Sequence, residues 1–378
     1  MENANRESSL RGQNLETAIE QYLRTRESGA YRSNAEYVLE QWRDECVAIG
    51  CDSFEILNGD RGARALRRYA EWLAGGAEND VAPSTAHTYY ATVRGFLTWC
   101  VRNGLLDTNP ASKSLAEEAL PNDPGTLDQQ FWSSEDRQAI LSYVDERARK
   151  AIDEDPSDVR EEVRDRALVA MLAYTGVRGA EVFRARNDDR RGRCGLRWKN
   201  AHIDENRLRI LGKSGEWEDA RLPSQAQKPF QQWKRVQDPP SDDWPVFPTG
   251  HRPSLYDAVR EAVDGDVEGT FVEHDVYDLL RQYEGTPPAI TTEGARNLMK
   301  RLCEAADVDI DGEYLKPHGA RRGIGELLYQ RDRGEAQDHL RHQSQRTTRE
   351  AYAHVDATEG AETASRMIED AESRGTDR

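Results

Sequence analysis

Apolar residues return at helical spacing through the first hundred positions. Leu15, Ile19, Tyr22 and Leu23 share one face, and Tyr37, Val38, Trp42 and Cys46 share another after a capping Ser33 or Asn34. A third set is Leu66, Tyr69, Ala70 and Leu73. A fourth, in a stretch that begins near Ser84, is Val93, Phe96, Leu97 and Val101. Four helices are therefore expected, with Gly104 ending the last and Asn109-Pro110 breaking the chain. Periodicity then lapses. Residues 111–131 are rich in Pro, Gly, Asn and Ser and read as a linker, which bounds a helical domain over 12–110.

The pattern changes after residue 131. Ser133 followed by Asp136 resembles a capping box ahead of a helix, and ALVAMLAY predicts a buried helix that stops at Thr175-Gly176. A short helix with Arg178 in its first turn follows. Residues 187–195 read as a loop insertion. The segments LRWKNAHID, RLRILGK and DARLP alternate enough to predict three short strands joined by tight turns. Helical spacing resumes at 227–236. Residues 250–289 read as an acidic insertion with one weak helix, and TTEGARNLMKRLCEAADV as a strong helix. The fold class is mainly α with a small antiparallel sheet (α+β). A second domain spans 132–356 and an acidic tail 357–378.

A length of 378 residues suits two domains. No run of about 18 apolar residues is present, so no membrane span is expected. The polar start lacks an apolar h-region, so a cytoplasmic location is the expectation. Five cysteines without a C-x-x-C pair read as free thiols rather than disulfides or zinc ligands. The net charge of −17 opposes nucleic-acid binding at first sight. Two features change that picture. Of the 52 basic residues 44 are Arg, and an acidic, Arg-rich, Lys-poor balance resembles proteins of a high-salt cytoplasm, halophilic archaeal ones included. The charge is also uneven: Glu313 to His354 holds eight basic and six acidic residues, whereas 250–289 holds three and nine.

That basic island carries the candidate chemistry. His318 and Arg321 form H-x-x-R, three residues apart on one side of a helix; His342 and Tyr352 follow. Guanidiniums hold phosphate oxygens with paired hydrogen bonds, and Arg178, in TGVRGAEV, and Arg321 are the candidates. Any one of 44 arginines is ordinarily a surface ion pair. An imidazole can accept a proton or hold a phosphate oxygen, and a tyrosine hydroxyl can attack phosphorus. No metal-ligand cluster or carboxylate triad stands out, so neither metal nor cofactor is expected. Gly212-Lys213-Ser214-Gly215 reads as an ordinary turn, and it is not a P-loop.

In order, Arg178, Lys213, His318-x-x-Arg321, His342 and Tyr352 resemble the active site of the tyrosine recombinases (phage-type integrases). The STAHTYYATVRGFLTWCVRNGLLDTNPA stretch resembles the end of that family's core-binding domain. The resemblance implies that Tyr352 is the nucleophile and forms a 3′-phosphotyrosyl link. It implies that His342 donates to the phosphate, that Glu181 supports the arginine or the packing near it, and that Lys213, like the family's mobile hairpin lysine, protonates the leaving 5′ oxygen. It further implies double-stranded DNA as partner, a homo-oligomer with four protomers on two sites, and no need of ATP or metal. The acidic tail would dock on a neighbouring copy. Two departures stand out. The family's L-G-H is Leu340-Arg341-His342 here, and ten residues rather than nine separate His342 from Tyr352. A loop would absorb the extra residue, whereas a continuous helix would swing the tyrosine by about 100°. A type IB topoisomerase and a catalytically silent DNA-binding regulator of the same fold are the alternatives.

Overall fold

The computed structural model describes residues 14–27, 29–75, 81–123, 129–156, 159–263 and 274–376. Most of the acidic centre of 250–289 and the start of the expected first domain lie outside the described residues. The chain divides into two compact units, Met1–Asp128 with Asn187–Arg190, and Gln129–Arg186 with Arg191–Arg378.

The first unit is helical: α1 (Leu15–Arg24), α2 (Ala30–Ala48), α3 (Phe54–Asn58), α4 (Asp60–Leu73) and α5 (Pro83–Arg102). Asn14 caps α1 by accepting the Thr17 amide at 2.9 Å. The apolar faces meet around Phe96, whose ring takes the edges of Tyr22 at 5.4 Å and Trp42 at 5.9 Å. Truncating Phe96 to Ala would cost about 3–5 kcal/mol. Tyr37 departs from its expected place. The buried stripe of α2 runs through Ala35, Val38, Leu39, Trp42 and Cys46, and Tyr37, a third of a turn away, is exposed. The stretch read as a linker also departs from expectation at its start. A 3-10 turn at Pro110–Ser112 and α6 (Ser114–Glu117) bury Ala111 and Ala116 in this unit's core. The Tyr90 hydroxyl donates to the Ala111 carbonyl at 2.9 Å. Alanines bury too little apolar surface to leave a periodic signal.

The second unit is built on α8 (Arg160–Thr175), in which every residue from Ala167 to Ala173 is buried. A helix apolar on all sides must be covered on all sides. Here α7 (Ser134–Glu154), α10 (Ser224–Gln237) and α14 (Pro317–Tyr329) cover it. The expected capping box starts α7: Ser133 Oγ accepts the Asp136 amide at 3.0 Å and the Asp136 carboxylate accepts the Ser133 amide at 3.2 Å. Between α8 and α10 lie the single turn α9 (Gly179–Val182) and the sheet β1 (Ala201–His202), β2 (Arg207–Leu211) and β3 (Trp217–Arg221). The strands are antiparallel in the order β1-β2-β3, with Leu208 opposite Ala220 and Leu211 opposite Trp217. Leu208, Ile210 and Ala220 point inward, while Arg207 points out and pairs with Glu205 and Asp219.

The 250–289 stretch is more than a surface addition. Its helices α11 (Arg252–Ala262) and α12 (Val276–Gln282) place Leu255, Val259, Leu279 and Leu280 in the main core. Then come α13 (Thr292–Ala306), α14, α15 (Arg333–Leu340), α16 (Gln345–Ala351) and α17 (Ala353–Thr376). The fold is thus mostly helical with one small antiparallel sheet. All five cysteines are free thiols, and only Cys194 is exposed. No described helix is long and apolar enough to cross a membrane.

Candidate active site

Helix α8 ends on Gly176 at φ +61°, a left-handed conformation that glycine adopts without strain. A Cβ there would press on Leu340 and His339. The turn brings Arg178 to the N-cap of α9, where its main-chain N–H and its guanidinium both donate to the buried Glu181 carboxylate, each at 2.7 Å. Arg178 in the first turn of a short helix is the expected placement. A helix of one turn supplies little dipole, so the positive charge comes from the guanidinium.

The start of α14 is pinned from outside the helix. Gln130 Oε1 accepts the Lys316 amide at 2.6 Å, and the Trp132 indole N–H donates to the Lys316 carbonyl at 3.0 Å. This anchorage holds His318 and Arg321 in the first two turns. Arg321 is turned inward and buried, donating to the carbonyls of Gly176 and Leu340. It therefore clamps the end of α8 to the end of α15. Burial and the neighbouring guanidiniums of Arg178 and Arg341 push it down to about 9. It is still protonated at neutral pH, in a cluster of cations short of anions. His318 faces solvent. Desolvation in its recess and the charges of Arg322, Arg321 and Arg178 hold its imidazole down at about 4.

Helix α15 ends on Arg341 at φ +55°, and His342 follows in the connecting loop. The His342 Nδ1 pairs with Thr348 Oγ1 at 2.9 Å. Burial and the charges of Arg321, Arg178 and Arg341 hold this imidazole at about 4. Ser344 caps α16, which ends at Ala351. Tyr352 leaves the helix at φ −120°, ψ 26°, and α17 begins at the next residue. The ten-residue spacing thus consists of a short non-helical connection through Ser344 and the helix Gln345–Ala351, which stops at the tyrosine, rather than one continuous helix.

The Tyr352 ring is buried between Tyr329, at 5.2 Å, and Phe131, at 6.3 Å. Its hydroxyl donates to the Arg322 carbonyl at 3.4 Å and lies over Gly325, where a Cβ would run into it. Positive charge nearby would favour the phenolate that a nucleophile needs. Burial wins instead, pushing the hydroxyl up to about 12 against the opposing pull of Arg321 and Arg322.

Residues 143–359, more than half of the chain, match the Phage integrase family. The chain belongs to this family. The tyrosine recombinase XerC of Xylella fastidiosa (strain M23) is 29% identical over 140 residues, which are 37% of this chain and 38% of the relative. That of Corynebacterium glutamicum is 24% identical over 212 residues, 56% of this chain and 60% of the relative. The chain spans less than two thirds of the length of either. Among solved structures, the XerH site-specific recombinase bound to palindromic difH substrate, a post-cleavage complex, aligns with a TM-score of 0.53 and 15% identity. The alignment covers 88% of this chain and 79% of that one. At that identity the likeness concerns the fold alone.

Within this phage integrase fold, Arg178, Arg321, His318 and His342 come from three separate segments and act on one another electrostatically, and Arg321 also reaches Tyr352. Lys213 is not drawn into the cluster. It stands exposed in the turn between β2 and β3, with no hydrogen bond or ion pair among the described residues. The sequence reading passed over Arg322, Thr348, Glu218 and the side chain of Arg341. The doublet Arg321-Arg322 signalled the first, and the departure from L-G-H signalled the last. Among the described residues no three His, Cys, Asp or Glu side chains converge as a metal site.

Proposed function

We propose that this chain is a site-specific DNA recombinase that cleaves and rejoins duplex DNA through a 3′-phosphotyrosyl intermediate. Arg178 and Arg321 hold the non-bridging oxygens of the scissile phosphate, with His318 and His342 beside them. The Tyr352 oxygen bonds to phosphorus while the bond from phosphorus to the 5′ oxygen breaks. The phenolic proton passes to His318, and the leaving 5′ oxygen takes a proton from Lys213. Attack by a second 5′ hydroxyl on the phosphotyrosine reverses the step, so bond energy is conserved and no ATP is consumed.

The observation that carries the reading is the crowding of buried guanidinium charge. Arg321 is depressed first by its burial and then by the charges of Arg178 and Arg341, and a phosphodiester anion would relieve the repulsion among the three. The relatives named tyrosine recombinases, and the neighbour of the same fold that is a site-specific recombinase bound to its palindromic difH substrate, support duplex DNA as the partner. On this reading residues 12–110 form the core-binding domain and 132–356 the catalytic domain. Four protomers join two sites, and the exposed Met367 and Ile368 of α17 meet a neighbouring copy. The acidic, lysine-poor composition suits a salt-rich cytoplasm of the halophilic archaeal type.

The buried Tyr352 hydroxyl favours a second reading, a DNA-binding regulator that does not cut. The test uses two supercoiled plasmids, each carrying a site selected for binding from random sequence. Recombinant duplex products are expected. Relaxation of supercoils without exchange would point to a topoisomerase, and binding without any covalent product to the regulator.

A further inference from the structure

Arg341 occupies a conformation that suits it poorly. At φ +55° a residue with a Cβ costs about 1 kcal/mol more than glycine. What the side chain does offsets that cost. It is 9% exposed and reaches two carboxylates from different elements. Its Nη2 donates to Glu181 Oε2 at 2.7 Å, and its Nε to Glu218 Oε2 at 3.3 Å. Glu181 is the carboxylate that also binds Arg178. Glu218 belongs to β3 and lies against Gly212, the residue before Lys213, where a Cβ would run into its carboxylate. Its other oxygen lies 3.5 Å from Ser214 Oγ, on the far side of Lys213.

A second buried arginine makes a parallel tie. Arg193 donates to the Ala180 carbonyl in α9 at 2.9 Å and to the Gly212 carbonyl at 2.7 Å. Both straps run from α9 to the root of the hairpin, and Lys213 lies between their attachment points and the exposed tip. The two arms of Arg341 differ in strength. The Glu181 contact is short and buried, while the Glu218 contact is longer and 26% of the Glu218 side chain is exposed. The hairpin arm is therefore the one that yields first.

We propose that Arg341 is a positioning residue: it ties the root of the Lys213 hairpin to the carboxylate that orients Arg178, and so sets how far the Lys213 ammonium can reach. The inference rests on the recombinase reading above. It makes proton delivery to the leaving oxygen depend on a residue whose guanidinium is committed to two carboxylates.

The test compares two suicide duplexes, one with the ordinary 5′ oxygen at the cleaved bond and one with sulfur in that bridging position. A thiolate leaves without a proton. Arg341→Gly suits φ +55° and so retains the fold; Glu218→Gln removes the charge from the same contact on the hairpin side. Both variants are expected to cleave the oxygen duplex about 10–100-fold more slowly and the sulfur duplex within about threefold of wild type. Lys213→Ala, the reference, should be rescued by sulfur in the same way. Equal slowing of Arg341→Gly on both duplexes, or no slowing on either, would overturn the inference while leaving the recombinase reading intact. Failure of sulfur to rescue Lys213→Ala would overturn the role of Lys213 and the inference with it. Absence of any adduct with wild type would overturn the recombinase reading itself.

Discussion

The Tyr352 hydroxyl donates to the main-chain carbonyl of Arg322, 3.4 Å away, and the phenol lies in an apolar nest with Ile324, Tyr329 and Leu340. The group proposed to attack phosphorus is thus turned onto helix α14, and the nest must open for it to react. Gly325 makes the nest possible. Gly325→Ala would drive its methyl into the hydroxyl, lowering stability by about 1–3 kcal/mol. It should also raise the reactivity of Tyr352 towards tetranitromethane. Thermal melting and peptide mapping of nitrotyrosine read the two effects.

Tyr352→Phe is expected to leave the fold intact. The lost hydrogen bond is long, so stability should change by less than about 1 kcal/mol. Urea denaturation checks this, and it makes the variant a clean control for chemistry.

His318 and His342 both lie near 4, below the ordinary histidine value of about 6.5. As pH falls from about 6.5 to 4, the unfolded chain takes up these protons and the folded chain does not, so stability falls across that window. Bound duplex supplies phosphate charge and should raise both values. Imidazole resonances followed by NMR with and without DNA would show this. Values unchanged by DNA would argue against phosphate contact.

Glu181 sits buried between Arg178 and Arg341. Glu181→Gln removes the one anion that both guanidiniums share. The expected loss is roughly 3 kcal/mol, because the enclosed Arg341 and the partly exposed Arg178 lose the buried carboxylate between them. Denaturant melts of Glu181→Gln beside Glu218→Gln, whose carboxylate is partly exposed, should show the first to be clearly the larger.

The charge of −17 predicts a salt requirement. Folding and monodispersity should both improve towards molar potassium chloride, as followed by circular dichroism and light scattering. Full stability in dilute buffer would remove the salt-adapted reading.

Much of this was legible in the sequence because the signals were local. The capping pair Ser133 and Asp136, the apolar run ending at Gly176 and the spacing of His318 to Arg321 each depend on near neighbours. What stayed hidden depends on residues far apart. Burial of Ala111 follows from a fold, not from a pattern, and so does the nest that raises Tyr352. Arg341 looked like a flaw in a motif until Glu181 and Glu218 appeared on either side of its guanidinium. Where the chain between His342 and Tyr352 is helical, and that the helix stops at the tyrosine, likewise followed only from the fold.

The most direct measurement incubates a nicked suicide duplex, carrying a selected binding site, with wild type and with Tyr352→Phe, and resolves the products under denaturing conditions. The account predicts a covalent protein–DNA adduct with wild type, mapped to the peptide containing Tyr352, and none with the variant. An adduct that persists in Tyr352→Phe would contradict it.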